Sequence, residues 1–105
     1  MNIYHVERTD NYSYDDYSEF VCVAESVDAA RRMGPTGDVF SPCTNLVRCD
    51  EDGRFYQLSH EGAKRYYGRT SWVYDISSVS VQLIGAAHPE DETEPRVVCA
   101  SFHAG

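Results

Sequence analysis

Hydrophobic and polar residues alternate along several short segments, a pattern typical of β-strands with one buried face. Residues 2–8 (NIYHVER) place Tyr4 and Val6 on the side that we expect to be buried. Residues 19–25 (EFVCVAE) are rich in residues that favour strands. The two segments predict a β-hairpin whose tip is the polar stretch at residues 10–19.

The C-terminal third repeats this pattern. Residues 79–87 (VSVQLIGAA) alternate Val79, Val81 and Leu83 with serine and glutamine, which predicts a strand that buries its hydrophobic side. Residues 96–102 (RVVCASF) predict the last strand. The segment between them is rich in acidic residues and has no lysine or arginine, so we expect an exposed loop there.

The middle of the chain predicts turns and a second hairpin. Residues 34–44 contain two glycines and two prolines, which indicates a loop. The β-prone runs at 45–49 and 54–59 flank the turn sequence DEDG, an arrangement typical of a hairpin.

Two short helices are predicted beside these strands. Ser26 is placed to cap a helix over residues 27–33, and Ser59 is placed to cap a second one over residues 60–67. Strands joined by short connections pair in the antiparallel sense. The sequence therefore predicts an α+β fold: a small antiparallel β-sheet with one or two short helices packed on one face.

The composition fits a single α+β domain over residues 1–105. Hydrophobic residues make up 42% of the chain, which is enough for a modest core. No apolar run approaches the roughly 20 residues that a membrane helix needs, and the N-terminus lacks the features of a signal peptide. We therefore expect a protein of the cytoplasm of the cell that contains it.

The net charge indicates which class of partner the protein can bind. Seventeen acidic residues against nine basic ones give a formal net charge of −8. Such a charge attracts basic protein surfaces and disfavours direct contact with nucleic acid or a membrane. The most basic segment, residues 63–69, has three bases and is flanked by acids, so no basic stripe is apparent.

Thiol and metal chemistry would have to use Cys43, Cys49 and His60. The spacing of the two cysteines differs from that of zinc knuckles and ribbons, and no nucleophile signature surrounds them. The paired carboxylates lie in loops crowded with like charge, where nothing pushes two pKa values apart. We therefore expect no enzyme activity, no cofactor and no metal site.

The polar hairpin tip is the most distinctive candidate site, because tyrosines lie among its acidic residues. Tyrosine provides contact area at low entropic cost, and carboxylates along a loop resemble a row of phosphates to a basic groove. The predicted partner-binding residues of this segment are Asp10, Tyr12, Tyr14, Asp15, Asp16, Tyr17 and Glu19. A second patch would comprise Glu90, Asp91, Glu92 and Glu94 if the fold brings it near. The alternative is an acidic tip that serves solubility.

Several segments together resemble small accessory proteins encoded by tailed bacteriophages and prophages. These segments are YHVERTD, YDDYSEFVCVAES followed by AAR, SWV, VSVQLIGAA and the ending VVCASFHAG. The resemblance covers both ends of the chain, and relative to it residues 34–68 look like an insertion. It implies a phage accessory role and no catalytic residues. It also implies a target, because such proteins often block a host defence complex, including CRISPR–Cas machinery, and acidic ones commonly occupy a nucleic-acid groove.

These observations predict a non-enzymatic, phage-encoded inhibitor of the anti-CRISPR type. Its acidic, tyrosine-rich surface would dock on the basic nucleic-acid-binding groove of a host protein or nucleoprotein complex. One alternative is a plain interaction module, such as a homodimer paired through an exposed sheet edge. The other is a small thiol- or zinc-dependent enzyme that uses Cys43, Cys49 and His60.

Overall fold

A computed structural model describes residues 1–11, 16–35, 47–59, 61–66, 72–88 and 95–103. The elements in chain order are β1 (Asn2–Arg8), β2 (Asp16–Ala24), α1 (Val27–Arg31), β3 (Arg48–Cys49), β4 (Phe55–Leu58), β5 (Lys64–Arg65), a 3-10 turn (Ile76–Ser78), β6 (Val79–Ala86) and β7 (Arg96–His103). One sheet has four antiparallel strands in the order β6-β1-β2-β7, and a smaller sheet has the order β3-β4-β5. The fold is therefore mostly antiparallel sheet, with less helix than the α+β prediction implied.

The hairpin predicted for the first two strands is confirmed. Asn2 pairs with Ala24 at one end, and Glu7 pairs with Glu19 near the tip. On β1 the alternate residues Tyr4 and Val6 are buried, as the pattern predicted.

The predicted first helix is also confirmed. The Ser26 hydroxyl accepts a hydrogen bond from the Ala29 N–H at 3.0 Å, which caps the start of α1. Arg32 at the other end pairs with Asp28, with 3.2 Å between Nε and Oδ2. A helix of this length is marginal alone, so the burial of Ala30 against the sheet stabilises it.

The second predicted hairpin forms between β3 and β4. The Asp50 carboxylate closes its turn by accepting hydrogen bonds from the N–H groups of Asp52 (3.0 Å) and Arg54 (2.8 Å). The Arg54 bond is the main cause that lowers the pKa of Asp50. Gly53 adopts a φ of 82°, the left-handed conformation that glycine reaches without strain.

The helix predicted at residues 60–67 is wrong in the part that the structure describes. Lys64 and the residue after it form β5 and pair with β4. The Ser59 hydroxyl accepts a hydrogen bond from the Ala63 N–H (3.1 Å), and the Ser59 N–H donates to the Ala63 carbonyl (2.9 Å). Gly62 has a φ of 84°, so the chain reverses there. Ser59 therefore closes a turn between strands instead of capping a helix.

The core lies on one face of the four-stranded sheet, beneath α1, the smaller sheet and the segment around Trp72. The rings of Phe20 and Trp72 lie at its centre, with 5.3 Å between their centroids. The buried hydrophobic cluster comprises Tyr4, Val6, Tyr17, Phe20, Cys22, Ala24, Ala30, Val47, Phe55, Trp72 and Val73. Among the residues placed by the structure, no helix has the length and hydrophobicity required to cross a membrane.

Near the hairpin tip, the opposite face of this sheet carries polar side chains that are exposed or half-buried, beside the apolar Val21. We call this polar part the open face, and its residues are His5, Glu7, Glu19, Ser80, Gln82 and Ser101.

Strand β6 departs from its predicted pattern at one position. Val79 and Val81 pack against the core as expected, but Leu83 is 57% exposed. The pairing of β6 with β1 shifts register between Ile3 and Tyr4, next to Leu83. A bulge bends a strand locally, and β6 is an edge strand with a neighbour on one side only, which leaves Leu83 exposed.

Candidate functional site

Arg8 lies at the end of β1, below the acidic hairpin tip, and is only 8% exposed. Its Nε and Nη2 donate to the two carboxylate oxygens of Asp10, at 2.6 and 3.0 Å. Its Nη1 donates to the Tyr17 carbonyl at 3.1 Å and lies 3.9 Å from the Asp16 carboxylate. The guanidinium carbon is 5.8 Å from the centre of the Trp72 ring. Arg8 therefore connects both strands of the hairpin to the core.

This arrangement offsets part of the negative charge of the acidic hairpin tip. The bidentate contact from Arg8 fixes the Asp10 carboxylate and offsets its charge, as planar guanidinium–carboxylate pairs do. The Asp10 and Asp16 side chains remain 28% and 24% exposed. Both carboxylates are held in defined positions. Together with Arg8 they carry a smaller net charge than the two acidic residues would alone.

Tyr17, one of the predicted partner-binding residues, is buried. It is 2% exposed and belongs to the hydrophobic core. The pairing of β2 with β7 shifts register between Tyr17 and Glu19, so Ser18 is an extra residue in the strand. A bulge of this kind changes the face to which the side chains on one side of it point relative to those on the other side. Tyr17 therefore offers no ring surface to a partner.

Glu19 is the most exposed of the predicted residues that the structure describes, at 43%. It lies on the open face directly opposite Glu7, and its Oε2 is 3.4 Å from His5 Nε2. One donor atom from each of these three side chains lies within 4.8 Å of the other two. Sequence reasoning missed this cluster, although the spacing of His5 and Glu7 on one strand face and the hairpin register were signals for it.

The other predicted residues lie outside the described part of the chain: Tyr12, Tyr14, Asp15, Glu90, Asp91, Glu92 and Glu94. The strand ends that flank them are placed. The first acidic segment connects Arg8 to Asp16, whereas the second connects Ala86 to Arg96, next to the first residues of β1 and the last residues of β2. At about 3.3 Å per residue, the length of β1 puts roughly 20 Å between these ends. The two acidic segments therefore leave the sheet at opposite ends.

The smaller sheet presents bases and aromatic rings together. The Arg54 guanidinium carbon and the Lys64 Nζ lie 4.8 Å from the centres of the Tyr66 and Tyr56 rings, respectively. The two rings have centroids 5.5 Å apart. Acidic residues 50–52 lie beside them and line a cleft of about 410 Å³ with Tyr56 and Lys64. The bases that the structure describes in this region are thus interleaved with acids and rings, and among these residues they form no continuous basic stripe.

The described thiols differ in exposure. Burial raises the pKa of Cys22 to about 11, and it also raises the pKa of Cys49 against a lowering influence of Arg32. A thiol with a raised pKa is a poor nucleophile near neutral pH. Cys99 is exposed on β7. Cys43 and His60 lie outside the described residues, so the alternative of a thiol or zinc enzyme stays a prediction.

No family model matches this chain, and neither a curated protein nor a solved structure matches it. The relation to phage accessory proteins therefore stays an expectation from short sequence segments.

Proposed function

We propose that this protein is a non-enzymatic binding module that presents the acidic end of the β1–β2 hairpin to a basic surface on a partner. The carrying observation is a group of four carboxylates at this end of the hairpin. Those of Asp10 and Asp16 contact the buried Arg8. Those of Glu7 and Glu19 lie opposite each other on the open face. The formal net charge of −8 would steer the whole molecule toward a basic partner.

The fixed geometry of the hairpin supports specific docking. Arg8 holds the Asp10 carboxylate through two hydrogen bonds, and antiparallel pairing holds Glu19 on a strand. Groups that are already ordered lose less entropy on binding. Carboxylates held in this way compete with phosphates for arginine side chains.

The partner that the phage resemblance implies is the basic nucleic-acid groove of a host defence complex. In that case the protein acts as an inhibitor of the anti-CRISPR type and blocks the groove without chemistry. The charge and the ordered carboxylates are compatible with this partner, and recovery of the bound protein from host lysate identifies it directly.

A second candidate is self-association through a sheet edge. Exposed hydrophobic residues on the two edge strands favour it: Leu83 (57%), Ile84 (52%) and Val98 (56%). Unpaired strand edges with apolar side chains are sites for pairing with another chain. Such pairing would depend little on salt.

The test recovers the partner from host lysate with the wild-type protein as bait and then titrates the purified partner at increasing salt. We expect Glu19→Lys to weaken binding by about tenfold or more, since one reversed charge at a docking surface costs on the order of 1.4 kcal/mol. The matched control is Glu51→Lys, which makes the same charge change in the exposed turn of the smaller sheet.

Equal effects of the two substitutions would show that only net charge matters and would contradict docking at the hairpin. Binding that is insensitive to salt would also contradict it, because screened charge pairs weaken as ionic strength rises. A concentration-dependent dimer without a second protein would support edge pairing instead.

A further inference from the structure

We propose that His5, Glu7 and Glu19 form a binding site for a divalent transition-metal ion of the zinc class on the open face of the sheet. The sequence analysis expected no metal site. This proposal does not depend on the docking function.

The strand geometry brings the three donors together. His5 and Glu7 are two residues apart on β1, so their side chains share a face, and Glu19 pairs with Glu7 from β2. The three donor atoms lie within 4.8 Å of one another. Ligands at about 2.0–2.2 Å from a tetrahedral zinc ion are about 3.4 Å apart. His5 Nε2 and Glu19 Oε2 already have this separation, 3.4 Å.

The negative charge of the two glutamates favours binding of a cation at this place. Glu7 and Glu19 are directly opposite each other, and like charges in that relation destabilise a sheet. Within the described ranges, neither glutamate has a lysine or arginine within 4.0 Å. The residues that pair with the cluster from the neighbouring strands are all neutral: Ser80, Gln82 and Ser101. A bound metal ion would turn the repulsion between the two carboxylates into attraction.

The donor set selects the class of ion. Calcium and magnesium prefer shells of oxygen ligands, whereas an imidazole nitrogen combined with two carboxylates suits zinc and its neighbours. Three protein ligands from a solvent-facing sheet leave a further coordination position accessible. The site would also join β1 to β2 near the hairpin tip.

The test is calorimetric titration of the full chain with zinc chloride, with His5→Gln and Glu7→Gln as variants. We expect one zinc ion per chain, and each substitution should lower the affinity by at least tenfold. The control Glu51→Gln removes an exposed carboxylate from the smaller sheet and should leave the affinity unchanged. Thermal unfolding gives a second readout, because a ligand that binds the native state raises the midpoint for the wild type and not for the two variants.

Thermal unfolding without metal checks that the variants fold. Glu7→Gln removes the like-charge pair and should be at least as stable as the wild type. Zinc affinity that survives His5→Gln would overturn the proposal. So would thiolate-to-metal absorption on adding cobalt, which would assign the ion to cysteines. Calcium binding of equal strength that depends on Glu7 but not on His5 would show an acidic patch and would equally refute a zinc-class site.

Discussion

Replacement of Arg8 by methionine tests whether this residue couples the acidic hairpin tip to the core. Methionine keeps much of the apolar stem and removes the donors to Asp10 and to the Tyr17 carbonyl. Breaking a fully buried ion pair from one side costs about 3–5 kcal/mol. The Asp10 side chain is 28% exposed and can be hydrated once Arg8 is removed, so the expected loss of stability is smaller than for a fully buried pair. We expect the free energy of unfolding to fall by about 2–3 kcal/mol.

Urea unfolding followed by tryptophan fluorescence measures this loss. Trp72 is the single tryptophan, and its ring lies against both Phe20 and Arg8, so its emission reports on the affected region. With a urea dependence of about 1–2 kcal/mol/M for a chain of this size, the midpoint should fall by about 1–3 M. Arg31→Met is the matched control, because that side chain is 36% exposed and its ion pair with Asp28 is long, at 4.0 Å. It should cost less than about 0.5 kcal/mol.

A double-mutant cycle with Asp10→Asn separates the ion pair from the rest of the Arg8 environment. We expect a coupling energy of about 1–2 kcal/mol, since the two residues share two charge-assisted hydrogen bonds. An Arg8→Met variant as stable as Arg31→Met would refute the reasoning. A cost that is unchanged in the Asp10→Asn background would show that packing, and not the pair, stabilises this end of the sheet.

The remaining predictions concern backbone conformation and alkaline stability. Chemical denaturation should show that Gly53→Ala lowers the free energy of unfolding by about 2 kcal/mol and Gly62→Ala by about 1 kcal/mol. Both glycines have positive φ, but only at Gly53 would the new Cβ lie 3.0 Å from Ile76 carbons. Equal costs would mean that Ile76 moves aside freely. Burial raises the pKa of Cys22 from 9.0 to about 11, so the unfolded chain loses this proton first, and the stabilisation present below pH 9 is lost as the pH rises through 11. Between these pH values the unfolding free energy of the wild type should therefore fall by about 1–3 kcal/mol more than that of Cys22→Ala, and parallel declines would contradict the assignment.

The hairpins could be predicted because their local signals agree with the fold. Tyr4 and Val6 alternate with polar residues on β1, and the DEDG turn has a glycine where the chain needs positive φ. The region after Ser59 could not be predicted in this way. Serine followed by polar residues caps helices and closes turns equally well, and the pairing of Lys64 with Leu58 decides between the two.

The candidate site was less predictable, because it depends on bulges and on a buried charge. An extra residue at Ser18 moves Tyr17 from the surface to the core, and no periodicity in the sequence marks that residue. Arg8 has acidic residues on both sides in the sequence, and that arrangement does not show that its guanidinium is buried. Among the described acidic residues predicted to bind a partner, Glu19 has the most exposed side chain, at 43%.

The opposed carboxylates of Glu7 and Glu19 constrain what can bind the open face. An apolar partner surface would take both charges out of water at a cost of several kcal/mol per ion, so a stable occupant must bring positive charge, either a metal ion or a basic side chain. A zinc ion would offset both glutamates and weaken attraction to a basic groove, while Asp10 would keep its pairing with Arg8. The two proposals therefore compete at Glu19. Linkage then requires that a basic partner lower the affinity for zinc by the same factor by which zinc lowers the affinity for the partner.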